Sequence, residues 1–65
     1  MAKVLKQKTG SLVTVQNKDR NIYRGKLCGF KIEPRNLVVV LQQNSGFVVL
    51  DKVLSVYFEK QEVKA

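Results

Sequence analysis

The chain has no histidine and only one cysteine, Cys28. Zinc, haem and iron–sulfur sites are built from several such ligands, so the usual arrangements of all three are excluded and we expect no cofactor. A disulfide within the chain is excluded for the same reason. Two carboxylates with a spacing suited to acid–base chemistry are not evident either, so we expect a protein that is not an enzyme.

Tryptophan is absent, and no apolar run reaches the length of a membrane span. The first residues also lack the apolar segment of a secretory signal peptide. We therefore expect a soluble cytoplasmic protein that has no membrane partner and no small-molecule substrate.

Sixty-five residues allow one domain, spanning residues 1–65. A domain of about 60 residues buries only about 60% of the surface that its unfolded chain exposes, so its core is marginal. Domains of this size usually add disulfides, a metal or partner subunits. Because the first two are excluded, association between subunits is the remaining source of stability.

Acidic residues are few: five Asp or Glu accompany twelve Lys or Arg, for a net charge of +7. The excess lies in residues 1–36, which hold nine basic and two acidic groups, whereas residues 37–65 hold three of each. A small basic domain favours a polyanionic partner, most often nucleic acid. The alternative is that the cations only keep a β-rich protein soluble.

Residues that favour strands dominate the chain after a short helix at about residues 2–8, which Gly10 ends. A helix this short must dock its Val4 and Leu5 on the rest of the chain or fray. Five strands follow, at residues 11–17, 21–32, 37–42, 46–51 and 53–58. The charged tail, residues 59–65, is expected to fray.

Two local patterns refine this prediction. The turn at residues 17–21 is polar, and its Asn and Asp residues tolerate left-handed backbone. Gly25 and Gly29 interrupt the second strand, which predicts a bulge or a sharp bend there. The alternative is that the two glycines merely weaken the strand.

The third and fourth strands are apolar on both faces, at residues 37–41 and 47–50. Antiparallel strands with one solvated face normally alternate apolar and polar residues. A lone domain of this size lacks the material to cover both faces, and exposed they would be adhesive. We therefore expect a second copy of the chain to cover them, although part of the burial could come from a barrel wrapping on itself.

The order of these segments resembles the Sm-like family, which includes the Sm and Lsm proteins, their archaeal relatives and bacterial Hfq. Residues 23–30 (YRGKLCGF) are similar to the Gly-x-Leu-x-x-Phe core of its first motif, and residues 36–39 (NLVV) to the end of that motif. Residues 48–56 (VVLDKVLSV) are closer to the second motif of Hfq. The resemblance covers residues 4–58.

Three features depart from the family pattern. Lys31 stands where the family usually has Asp, and the loop that follows is one residue longer than is common. Asp51 and Lys52 replace the Arg-Gly or Lys-His pair of the second motif. The first and third departures fall at positions that contact RNA in relatives.

The resemblance implies a small five-stranded, strongly bent antiparallel barrel (residues 11–58) with a short N-terminal helix. It also implies a homo-oligomeric ring of six or seven subunits, in which the fourth strand of one copy pairs with the fifth strand of the next. The corresponding subunit-interface residues here are Phe47, Val49, Leu54 and Val56.

The function implied by the resemblance is binding of single-stranded RNA without catalysis, uridine-rich RNA being preferred, as an RNA chaperone or scaffold. Asn36 would contact a base edge, and Arg35 would stack on a base or bind phosphate. Lys31 and Lys52 would neutralise the RNA backbone.

Each of these assignments has an alternative. Asn36 could only cap its turn, Lys31 and Arg35 could be solvated loop charges, and Asp51 could repel RNA. Two rival functions also stay open: a monomeric basic barrel that binds double-stranded DNA, and a ring that serves structure or protein interaction without RNA.

Overall fold

A computed structural model describes residues 2–58 and 61–64 of the chain. The elements in chain order are α1 Ala2–Gln7, β1 Leu12–Asn17, β2 Ile22–Glu33, β3 Asn36–Gln43, β4 Gly46–Leu50, β5 Val53–Phe58 and β6 Gln61–Lys64. The strands form one antiparallel sheet in the order β4-β3-β2-β1-β5-β6. The prediction of a mainly β fold with a short N-terminal helix is confirmed, and β1 to β5 begin and end within one residue of the predicted positions.

The sixth strand lies within the segment that we expected to be a frayed tail. Gln61–Lys64 pairs with β5, and Val63 lies opposite Val56 in the register. A four-residue strand with one apolar residue has no periodicity that a sequence pattern could detect, which is why β6 was missed. Residues 59, 60 and 65 of the predicted tail lie outside the described residues.

β2 is the longest strand, and it bends so that its two halves serve different partners. Residues 22–26 pair with β1, and residues 26–33 pair with β3. The β2–β3 register is interrupted between Leu27 and Gly29, so Cys28 forms a bulge. A bulge bends its strand and increases the local twist. The bulge predicted in this stretch is therefore confirmed.

The two glycines of β2 differ in their surroundings. A Cβ atom placed on Gly25 would lie 2.8 Å from the carbonyl oxygen of Gln42 and 3.2 Å from the Cβ of Leu41. A Cβ on Gly29 would meet nothing within 4 Å. The close approach of β3 to β2 thus requires glycine at position 25 but not at position 29.

The core is a single cluster of apolar side chains contributed by the helix and the strands. Its buried residues are Leu5, Val13, Val15, Leu27, Leu37, Val39, Leu41, Leu50, Val53, Val56 and Phe58. The helix docks as predicted, because Leu5 is fully buried and Val4 packs against the same cluster. Burying one leucine stabilises a fold by about 1.5–3 kcal/mol, which a two-turn helix cannot supply by itself.

Curvature brings distant strands of the sheet together. β3 and β5 are separated by two strands in the sheet order, yet residues of the two approach within 8 Å between Cα atoms. The edges of the sheet are β4 and β6, and no ladder of hydrogen bonds joins them among the described residues. The described chain is thus an open, strongly curved sheet of six strands, where we predicted a barrel of five. Within residues 2–58 and 61–64, no helix has the length and apolar character needed to span a membrane.

Candidate nucleic-acid interface

Three turns meet at one end of the molecule: those between β1 and β2, between β2 and β3, and between β4 and β5. The backbone amide of Lys18 donates to the carbonyl of Lys52 at 2.8 Å, which joins the first turn to the third. The amide of Lys52 donates to Oδ1 of Asn36 at 2.7 Å, which joins the third turn to the second. We call these turns, residues 18–21, 34–35 and 51–52, the turn cluster.

Asn36 is the first residue of β3, and its side chain holds two turns together. Its Oδ1 accepts from the amide of Lys52, and its Nδ2 donates to Oε1 of Glu33 at 3.2 Å. A carboxamide has two N–H donors and two acceptor lone pairs, so one donor and one acceptor remain. Asn36 therefore has a structural role in its turn. Its remaining donor and acceptor could still contact a base edge, as predicted.

The β1–β2 turn is closed by Asn17. Its Oδ1 accepts from the backbone amides of Asp19 and Asn21, both at 3.0 Å, and its carbonyl accepts from the amide of Arg20. We expected an Asn or Asp in left-handed backbone, but Arg20 takes that conformation, with φ of 68°. Because the side chain of Asn17 fixes the start of the turn, the positive φ falls further along, on the arginine.

The other two turns place a cation in the same conformation. Pro34 and Arg35 are the central residues of the β2–β3 turn, and Arg35 has φ of 60°. A positive φ after proline is typical of a type II turn, which usually takes Gly or Asn at that position. Lys52 has φ of 51°. Left-handed backbone costs a residue with a side chain about 1–2 kcal/mol.

A pocket of about 450 Å³ opens beside the turn cluster. Its apolar lining comes from Ile32, Leu37 and Val53, and its polar lining from Lys18, Glu33, Arg35 and Asn36. Ile32 is 46% exposed, whereas Leu37 and Val53 are buried core residues, so Ile32 supplies the apolar surface that lies beside the polar groups. Apolar surface beside hydrogen-bonding groups suits a flat ring such as a nucleobase. Cations outnumber carboxylates here: the cluster holds Lys18, Arg20, Arg35 and Lys52 against Asp19 and Asp51.

The structure brings three of the four predicted RNA-binding residues together directly, and the fourth, Lys31, pairs with the same Glu33 carboxylate that accepts from Asn36. Arg35 and Asn36 line the pocket, and Lys52 is bonded to Asn36. Lys31 lies two residues before Glu33, and its Nζ is 3.5 Å from Oε2 of that residue. The Lys31 side chain is 73% exposed, so this ion pair contributes little to stability.

Sequence reasoning missed five residues that line the pocket: Lys18, Ile32, Glu33, Leu37 and Val53. Ile32, Leu37 and Val53 look like ordinary strand residues, and only the three-dimensional bend of β2 shows that they reach one pocket. Lys18 had one available signal, a cation in a polar turn. Among the described residues, no group of three or more His, Cys, Asp or Glu is placed to hold a metal ion.

The residues predicted to form a subunit interface divide into two groups. Phe47 and Val49 lie on the edge strand β4 and are 68% and 67% exposed, and Leu54 on β5 is 42% exposed. Val56, in contrast, is fully buried. Its strand is interior to the sheet, between β1 and β6, and strand alternation turns its side chain into the core. Val56 is therefore a core residue of the single chain, and the interface prediction depends on the three exposed residues.

Comparison of the chain with protein-family models, with curated proteins and with solved structures finds no match. The resemblance to the Sm-like family accordingly depends on the motif residues of this chain alone.

Proposed function

We propose that this protein binds single-stranded RNA without catalysis, through the turn cluster and its pocket, as a homo-oligomeric Sm-like ring acting as an RNA chaperone or scaffold. The observation that carries the proposal is the bond between Asn36 and Lys52. This bond places Lys52 beside Asn36, which lines the pocket together with Arg35. The motif positions select all three as RNA-binding residues.

The chemistry of this end suits one nucleotide of a single strand. The exposed side chain of Ile32 lines the pocket and offers apolar contact to a base, while Asn36 keeps a free donor and a free acceptor for the edge of that base. Arg35 and Lys52 are exposed and available to phosphate. A base inside a duplex could not reach such a pocket, which favours a single strand over the rival double-stranded DNA.

Assembly of copies is supported by the edge strand β4. Phe47 and Val49 are exposed on it, and half-buried Val40 lies opposite Val49 on β3. A free strand edge beside exposed apolar side chains is a template for pairing with another chain. The opposite edge of the sheet is a different strand, so pairing of β4 with that side of another copy is heterologous, and heterologous pairing that closes gives a ring.

The position of β6 conflicts with the strand pairing expected in that ring. β5, the strand expected to receive the β4 of a neighbour, already carries β6 on its outer side. We propose that β4 of the neighbour displaces β6 and pairs with β5. The wrapping of the sheet, in which β3 approaches β5, supports the finer description of each subunit as a strongly bent small barrel.

Oligouridine binding tests the function, and native mass tests the assembly. Filter binding is measured over a series of salt concentrations, with oligouridine, oligoadenosine and a DNA duplex of equal length as probes. We expect oligouridine to bind best and with a steep loss of affinity as salt rises. Absence of oligouridine binding at low salt overturns the RNA proposal and leaves a structural ring. Light scattering is expected to give a multiple of the 7.4 kDa chain; a mass of one chain together with duplex binding supports the monomeric rival.

A further inference from the structure

Five described residues have positive φ: those outside the turn cluster are glycines, and those inside it are cations. Gly10 and Gly46 take the two positions outside the turn cluster, with φ of 94° and 133°. The three positions inside the cluster are Arg20, Arg35 and Lys52. Glycine adopts this conformation without steric cost, whereas a residue with a Cβ atom is strained in it.

Composition does not explain the division. Lys and Arg make up twelve of 65 residues, so cations at all three strained positions are not expected from their abundance. Asn tolerates left-handed backbone better than Arg, and Asn21 and Asn36 stand directly after Arg20 and Arg35. In both turns the strained position nonetheless holds the cation.

The three strained cations are exposed, and none of them forms an ion pair with a described carboxylate. The single ion pair among the described residues joins Lys31 to Glu33, which leaves the charges of Arg20, Arg35 and Lys52 directed to solvent. The bond from Lys18 to Lys52 fixes the turn of Arg20 against the turn of Lys52. Arg20 thus belongs to the same end as the other two, although the sequence motifs did not select it.

We propose that Arg20 is a further RNA-binding residue, which holds a backbone phosphate next to the nucleotide at the pocket. This inference rests on the proposed function, and it assigns a phosphate contact to the β1–β2 turn, for which no RNA-binding residue had been named. The chain keeps a strained arginine there because the charge is used in binding, a pattern seen where backbone strain collects at functional sites. A guanidinium binds phosphate through two parallel N–H donors and suits this role.

The test replaces Arg20 with asparagine, which tolerates the left-handed backbone and removes the charge. Oligouridine affinity is expected to fall about three- to tenfold. The slope of log affinity against log salt is expected to decrease by about 0.7 for each phosphate that the variant no longer neutralises. Arg20→Lys is expected to keep the slope. The urea midpoint of Arg20→Asn is expected to equal or exceed that of the original chain, because strain is relieved.

A matched control removes one exposed cation elsewhere: Lys26→Gln, on β2 beyond the turn cluster. If Lys26→Gln lowers affinity as much as Arg20→Asn does, net charge is responsible and the assignment of Arg20 is wrong. Unchanged affinity and slope in Arg20→Asn, with the original chain still binding, overturns this inference alone. A chain that does not bind oligouridine at all overturns the proposed function and this inference with it. If Arg20→Asn fails to fold, Arg20→Gly replaces it with the same expected loss of affinity.

Discussion

The backbone amide of Lys52 donates a 2.7 Å hydrogen bond to Oδ1 of Asn36, sixteen residues earlier in the chain. This bond fixes the turn between β4 and β5 against the start of β3. A second bond, from Nδ2 of Asn36 to Glu33, spans the β2–β3 turn. One side chain thus determines the geometry of two turns of the candidate site. Replacing it will change both stability and binding, and the two effects have to be measured separately.

Asn36→Ala is expected to destabilise the fold by about 1–3 kcal/mol, because it removes two hydrogen bonds whose typical net value is about 0.5–1.5 kcal/mol each. The measurement is urea unfolding, together with hydrogen exchange at the Lys52 amide, which should lose its protection. A Lys52 amide that exchanges as slowly as before would show that another acceptor replaces Asn36 and that the side chain does not fix the turn.

Arg35→Ala combined with Asn36→Ala is expected to weaken oligouridine binding by at least about tenfold, which corresponds to about 1.4 kcal/mol. The mass of the assembly should not change, because neither residue belongs to β4 or β5, the strands proposed to pair between copies. Arg35→Asn alone serves as the control, since asparagine tolerates the positive φ of position 35 and the change removes only the charge. If the double variant binds like the original chain, the RNA site lies elsewhere on the molecule.

Gly25→Ala is expected to destabilise the fold by about 1–3 kcal/mol, because its new Cβ would lie 2.8 Å from the carbonyl oxygen of Gln42 and the backbone of β3 would have to move. Gly29→Ala is the matched control in the same strand, with nothing within 4 Å of the added atom. Urea unfolding of both variants checks the difference. Equal effects on stability would mean that the flexibility of glycine in the unfolded chain, and not the close approach of β3, governs both positions.

The sequence was sufficient to predict the local elements and to select part of the candidate site. The strands from β1 to β5 followed from apolar and β-branched runs separated by polar turns, and the bulge of β2 from its glycines. Arg35, Asn36 and Lys52 could be selected because motif positions carry them along the chain. Neighbouring residues determine these properties, so a sequence pattern can predict them.

Other features depended on distances that no local pattern contains. The family resemblance placed Val56 in a subunit interface, but its side chain lies on the face of β5 that packs in the core of the single chain. Ile32 and Val53 reach one pocket only because β2 bends. The strained conformation of Arg20 follows from the side chain of Asn17 closing its turn, which propensities for Asn and Asp could not anticipate.

Val49→Asp is expected to disassemble the proposed ring and leave the subunit folded. Val49 is 67% exposed on β4, so a carboxylate there is tolerated in the free chain but would be buried between copies. Ile22→Asp is the control, because Ile22 is 66% exposed on β2, away from the edge. Light scattering over a dilution series measures the mass, and circular dichroism measures the fold. An unchanged mass for Val49→Asp would exclude this face of β4 from the interface.

A chain ending at Phe58 is expected to assemble at lower concentration than the full chain. β6 occupies the outer edge of β5 with four residues, and its removal leaves that edge open to the β4 of a neighbour, which brings the exposed Phe47 with it. Val63→Pro in the full chain is the companion variant, because proline supplies no amide hydrogen to the ladder with Val56. Sedimentation velocity measures the association of both. If both variants become monomeric while circular dichroism shows the sheet intact, β6 is itself the strand that a neighbour contacts, and the interface runs from β4 to β6 instead of to β5.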